Sequence, residues 1–200
     1  MRILIVGGTG TIGRTLSTAL AADHEVFVAG RSGPAVSVDI TSADSIEKMF
    51  RQVGPGDACI CVAASGAMDR FADLDEHGLL ENMKGKLFGQ MNLVLIGQRY
   101  LADKGSFTLT SGIFADEAWP GVTGGAVISG ALHSFVLSAA LELPRGLRIN
   151  AVSPGMVDAS IDQFGHLFPG MKPVAMDRLV AAYMKSVEGA STGQILRVYG

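Results

Sequence analysis

The chain has 200 residues, 48% of them hydrophobic, with a formal net charge of −3 and a pI near 5.8. That length suits one compact domain, residues 1–200, with ample material for a core; the acidic balance and the lack of any basic run argue against a nucleic-acid surface. The mean hydropathy of +0.34 comes from short apolar runs, none near the roughly 20 unbroken apolar residues of a spanning helix. The apolar start meets glycines too early for a signal peptide, so a cytoplasmic protein without a membrane partner is expected.

Residues 2–6 (Arg-Ile-Leu-Ile-Val) read as a buried strand. Gly7-Gly8-Thr9-Gly10-Thr11-Ile12-Gly13 is a glycine-rich turn, and a helix runs on to about residue 22. Residues 25–29 form a second strand and residues 36–38 a short third. Thr41 or Ser42 caps a helix to about residue 53, which Gly54-Pro55-Gly56 ends. Residues 57–62 are a fourth strand; its Cys59 and Cys61 read as small core residues on one face, unsuited to pairing or to a metal site. A long helix is expected over 81–101, a fifth strand over 106–109, and a helix over 124–143 stopped by Pro144. Residues 147–152 are a sixth strand, broken by Ser153-Pro154-Gly155. A helix over 173–187 precedes the last strand, 194–199. This alternation predicts an α/β fold, a Rossmann-type doubly wound parallel sheet of about seven strands with about six helices on both faces. Ligands then bind beyond the carboxyl ends of the strands.

Three glycines between a strand and a helix have distinct uses. Gly7 permits the tight turn, Gly10 lets a pyrophosphate approach the backbone, and Gly13 lets the helix pack close to the sheet. Thr9, Thr11 and Ile12 complete the loop, and the helix N-terminus offers free N–H groups and partial positive charge. After the second strand stands Gly30-Arg31-Ser32 rather than an acidic residue. Arg31 suits a 2′-phosphate and Ser32 adds a hydrogen bond, so NADP(H) is preferred over NAD(H).

The loop, Arg31 and their context resemble the short-chain dehydrogenase/reductase family. Val38-Asp39-Ile40 is similar to its adenine-contacting segment, and residues 57–64, ending in Ala63-Ala64, to the strand that meets the adenosine ribose. Ala139-Ala140-Leu141-Glu142-Leu143 followed by Arg148-Ile149-Asn150-Ala151-Val152-Ser153-Pro154-Gly155 matches the family's late helix and strand closely. The resemblance implies that Met156 and Val157 contact the nicotinamide and that Pro154 and Gly155 before them also belong to the cofactor site. Thr192-Gly193-Gln194-Ile195-Leu196 resembles the final strand.

The family's Tyr and Lys, four residues apart, fall here on Gly125 and Ser129, which can neither donate a proton nor supply a positive charge. Its Ser corresponds to Ser111, with Thr110 the next candidate. Lys86-Leu87-Phe88-Gly89 fits a family segment like Asn-Leu-x-Gly, with Lys86 in the Asn place and Asn82 the competing match one turn earlier. This suggests that the active-site cation has moved to Lys86, whose pKa would fall on partial desolvation. His133 reads as a packing or interface residue, and neither Tyr100 nor Tyr199 replaces the missing Tyr from its sequence position. Asp116, Glu117 and Trp119 border the substrate region, and residues 161–173 stand where relatives carry a lid. Three functions follow: an NADP(H)-dependent oxidoreductase on a small carbonyl or alcohol substrate with an atypical site, Ser111 orienting the oxygen and Lys86 or water handling the proton; an inactive NADP(H)-binding sensor or scaffold; or, third in order, an isomerase or lyase using bound cofactor. The resemblance also implies a homodimer or homotetramer.

Overall fold

β1 (Arg2–Val6) carries four successive apolar side chains, a pattern stable only when both faces of a strand are covered. The computed structural model describes residues 1–31, 36–63 and 70–200. In it β1 lies inside a seven-stranded sheet with β2 (Glu25–Gly30), β3 (Val36–Ser37), β4 (Gly56–Cys61), β5 (Leu101–Thr110), β6 (Arg148–Pro154) and β7 (Gln194–Val198). The order is β3-β2-β1-β4-β5-β6-β7, and every pairing is parallel.

Strand alternation divides the core. Leu4 and Val6 point to α2 (Ala43–Val53), α4 (Gln90–Gly97) and α5 (Thr123–Glu142), where they meet Phe50, Leu93 and Leu132. Ile3 and Ile5 point to α1 (Thr11–Leu20) and α7 (Met176–Glu188), against Leu16, Leu20 and Tyr183. Cys59 and Cys61 are buried free thiols, and burial pushes both thiols well above the usual range, Cys61 to about 12. The chain runs outward from β1 to β3 and returns to β4 on the other side of β1. That reversal opens a crevice beyond their carboxyl ends.

Several boundaries differ from the sequence expectation. The long helix begins early, as α3 (Glu76–Met83), because Asp75 accepts a hydrogen bond from Gly78 N at 2.7 Å and caps it. A π-helical turn, Lys84–Gly89, interrupts it before α4. α4 ends at Gly97, where a β-carbon would stand 2.5 Å from Phe50 Cζ. β5 therefore starts at Leu101, five residues ahead of expectation. Its polar Ala102-Asp103-Lys104 stretch hid that start from an apolar reading, and Arg145 Nη1 holds Leu101 O at 3.0 Å. β6 continues through Pro154, and Gly155 N still bonds Val198 O at 2.9 Å. α7 begins at Met176 because Val174 is engaged in a bridge with Val157. The short α6 (Ile161–Phe164) lies between β6 and α7.

α5, 20 residues long, meets the length and apolarity of a membrane-crossing helix, which the short-run reading of the sequence did not bring out. In the fold Ile128, Leu132 and Val136 are buried against the sheet, while Val127, Leu137 and Leu141 are exposed.

Candidate functional site

Beyond β1 the chain turns at Gly7 with φ +87° and enters α1. Gly10 caps α1 without any side-chain hydrogen bond, and its first turn holds no acidic residue. A β-carbon on Gly10 would come no nearer than 3.5 Å to other atoms. Among the described residues nothing caps the helix N-terminus, and its amides and dipole suit a phosphate group.

A cleft of about 310 Å³ opens here. Gly7, Thr9 and Gly10 line one side, and Arg31, Asp39, Ile40 and Ala63 the others. Ser32 and Ala64 lie outside the described residues. Thr11 and Gly13 open α1 rather than line the cleft, and Ile12 faces the neighbouring cavity. Asp39 Oδ1 accepts from Thr41 N at 2.9 Å and Thr41 Oγ1 at 2.8 Å. Those bonds, with the nearby charge of Arg31, hold its carboxyl below the usual range. Asp39 therefore also shapes the turn into α2, where Ser42 is the cap, accepting from Ser45 N at 3.3 Å. The uncovered amides and the Arg31 guanidinium fit the phosphates of a dinucleotide.

Val62 is shared with a second cavity of about 430 Å³, which lies beyond β5 and β6. Pro154, Gly155, Met156 and Val157 border it, as do Asn82, Lys86, Ser111 and Gly125. Thr110 and Ser160 also line it, and most of the remaining wall is apolar, with Ile113, Phe114, Val122, Phe164, Phe168 and Met171. Phe168 packs at a tilt against Phe114 at 5.3 Å and meets Trp119 edge-on at 5.6 Å, so the loop after β5 braces the segment that follows α6.

Ser111 is buried at the end of β5. Its N–H donates to Val152 O at 2.9 Å, and its Oγ lies 2.8 Å from His133 Nε2. Thr110, the other candidate, has its hydroxyl spent elsewhere. It donates to Cys61 O at 2.5 Å and meets Tyr183 Oη at 2.7 Å, on the α7 face of the sheet. Strand alternation separates the two neighbours.

The π-helical turn sets the direction of Lys86. A β-carbon on Gly112 would lie 3.8 Å from Lys86 Nζ and 3.5 Å from Ser129 Oγ, so the ammonium reaches the end of β5. Burial alone lowers its pKa; no neighbouring charge offsets this among the described residues. Gln90, which sequence reasoning missed, anchors the turn. Fully buried, it donates to Lys86 O at 2.9 Å and Thr110 O at 2.8 Å, and accepts from Thr110 N at 2.8 Å. A side-chain amide thereby ties the lysine's backbone to the strand that carries Ser111. Single-turn π bulges often mark functional positions. Ser129 is fully buried and its Oγ has no partner among the described residues.

His133 is the second group that the sequence reading missed. It lies one turn beyond Ser129 and two beyond Gly125, so helical spacing did place it on this face; nothing local showed that Ser111 would sit against it. Farther out, Arg197 grips Asp116 through two bonds of 2.9 and 3.0 Å, and Tyr199 Oη donates to the same carboxylate and meets Ser153 Oγ at 3.0 Å. Burial first, and then the Asp116 bond, push the Tyr199 phenol up to about 12.

A family model described as Enoyl-(Acyl carrier protein) reductase matches residues 13–185. The 1-cyclohexenylcarbonyl-CoA reductase of Streptomyces collinus is 28% identical over 89% of this chain and 73% of its own length. Among solved structures, the protein lin1944 from Listeria innocua is 42% identical, with complete coverage of both chains and a TM-score of 0.97. A small-chain dehydrogenase in complex with NADPH is 25% identical, covering 100% of this chain and 96% of that one, at a TM-score of 0.87. The chain belongs to the short-chain dehydrogenase/reductase family, oxidoreductases that use nicotinamide cofactors.

Proposed function

We propose that the protein is an NADP(H)-dependent oxidoreductase acting on the carbonyl or alcohol group of a small, largely apolar substrate. One juxtaposition carries the reading. A cleft with uncovered helix amides and Arg31 runs into an apolar cavity that has Ser111 and Lys86 at its polar end. Gly30 ends β2 and Arg31 follows it, where an acidic residue would favour the 2′-hydroxyl of NAD, and the NADPH complex of a 25%-identical protein agrees with a 2′-phosphate. Bound nicotinamide would supply or accept a hydride.

Residues 154–157 border the cavity where that ring would be held. Ser111 Oγ orients the substrate oxygen, and Lys86 places positive charge where negative charge develops on it. Neither would serve as well in water; the phenylalanine and methionine wall lowers the local dielectric and strengthens both.

NADPH fluorescence titration, followed by NADPH consumption with alkyl and aryl ketones, aldehydes and quinones, tests the reading. Gly125 and Ser129 in place of Tyr and Lys favour a second reading, a sensor or scaffold; tight NADPH binding with no consumption in that panel would establish it over the first. Arg31→Ala should weaken NADPH binding about tenfold, equivalent to ~1.4 kcal/mol, and leave NADH binding unchanged. Equal losses for both would overturn the NADP assignment.

Exposed Leu95 on α4 and exposed Val127, Leu137 and Leu141 on α5 form the face on which we place a homodimer or homotetramer contact. Light scattering should then give two or four times the 20.8 kDa chain mass, and Leu141→Glu should reduce it.

A further inference from the structure

The reading above leaves one acid–base group unused. Ser111 lines the cavity and His133 does not, yet Ser111 Oγ and His133 Nε2 are 2.8 Å apart. The other oxygen near that hydroxyl, Val152 O at 3.5 Å, is at the limit of bonding. His133 therefore decides where the Ser111 proton points. Beyond the ring lies a polar surface: Asp116 after β5 and Arg197 on β7 act on it electrostatically, and Tyr199 bonds the same Asp116. Lys86 lies across Gly112 on the cavity side. A hydroxyl facing substrate, backed by an imidazole that faces a charged surface, is a conduit for protons.

We propose that Ser111 and His133 form a two-residue proton relay between the substrate oxygen and the surface around Asp116, taking over the proton transfer for which Gly125 and Ser129 are unfit. The inference rests on the oxidoreductase reading. In alcohol oxidation the substrate O–H proton passes to Ser111 Oγ as the Ser111 proton passes to His133 Nε2. The electron pair of the breaking substrate C–H bond leaves as hydride to the oxidised nicotinamide, and the imidazolium then releases its proton to water. Carbonyl reduction runs the same transfers backward and needs His133 protonated first. His133 touches no substrate atom; it is a positioning residue that acts through Ser111. Burial lowers its pKa more than Asp116 raises it, so the imidazole is neutral at neutral pH. Oxidation should hold there and fall as pH drops through the His133 midpoint; reduction should rise over the same window.

The test follows the His133 ring proton by NMR in the full chain, assigned by its loss in His133→Gln, with no cofactor, with NADPH and with NADP⁺. A midpoint below the ordinary histidine value is expected. It should shift in Ser111→Ala, and should lie lower with NADP⁺ than with NADPH because the oxidised ring adds positive charge. With any ketone or alcohol that is turned over, His133→Gln should lower kcat about tenfold or more, keep the KM for NADPH, and flatten the pH profile in that window. Failure of both cofactors to bind removes the oxidoreductase reading and the relay with it. Cofactor binding with a His133 midpoint indifferent to Ser111→Ala and to cofactor charge overturns the relay alone. The Ser111→Ala and cofactor arms decide the matter even if His133→Gln does not fold.

Discussion

Lys86→Met is expected to yield a more stable protein with almost no turnover. The lysine is partly buried, burial is the sole cause of its lowered pKa, and no carboxylate offsets its charge among the described residues. Desolvating an unpaired ammonium opposes folding, whereas methionine fills a similar volume without that cost. A gain of about 1–2 kcal/mol is expected, limited by the side chain's remaining exposure to the cavity. The gain depends on pH in a definite direction. Below the folded-state pKa the wild type carries the full penalty. The penalty shrinks as pH rises from there to the unfolded value near ~10.4, above which both states are neutral. Urea melts of the two proteins should therefore converge at high pH. Loss of the charge facing the substrate oxygen should cost about a hundredfold in kcat, measured with whichever carbonyl compound consumes NADPH. A variant less stable than wild type, or one with full activity, would show that Lys86 is a structural residue of the π-helical turn.

Gly13→Ala is expected to cost at least ~3 kcal/mol of stability or to prevent folding, while Gly10→Ala, three residues away, leaves the fold intact. A β-carbon at Gly13 would stand 2.3 Å from Gly7 O and 2.6 Å from Gly8 Cα. Both are backbone atoms of the turn, so relief requires α1 to move off the sheet and Leu16 and Leu20 to leave the core. At Gly10 the same methyl would meet only Gly7 O among the described residues, at an ordinary contact distance of 3.5 Å. It should instead obstruct the phosphates and weaken NADPH binding about tenfold or more, ~1.4 kcal/mol. Denaturant unfolding paired with NADPH titration separates the two. A destabilised Gly10→Ala, or a stable Gly13→Ala with weak binding, would reverse these assignments.

The phosphate loop was legible because its requirements are local: the contacts that forbid a side chain at Gly13 come from Gly7 and Gly8. The parallel sheet was legible for a similar reason, since unbroken apolar strands such as residues 3–6 need helices on both faces. The substrate end was less so. Lys86 was the preferred match to the family's Asn and Asn82 the competing one a turn earlier, and both border the cavity. The added residue of a π-helical turn, anchored by Gln90 to a strand 20 positions away, then aims the lysine at Gly112. Spacing rules for a regular helix contain no term for that shift.

Sequence by itself determined the fold class, through periodicity, and the family, through resemblance along the chain; the glycine-rich turn was readable because its contacts lie between near neighbours. Only the tertiary structure decided which polar groups meet at the other end. Ser111 and His133 are 22 residues apart, and what joins them is the packing of α5 across the tips of β5 and β6. That packing is selected by the fit of whole apolar faces, which no single residue type announces.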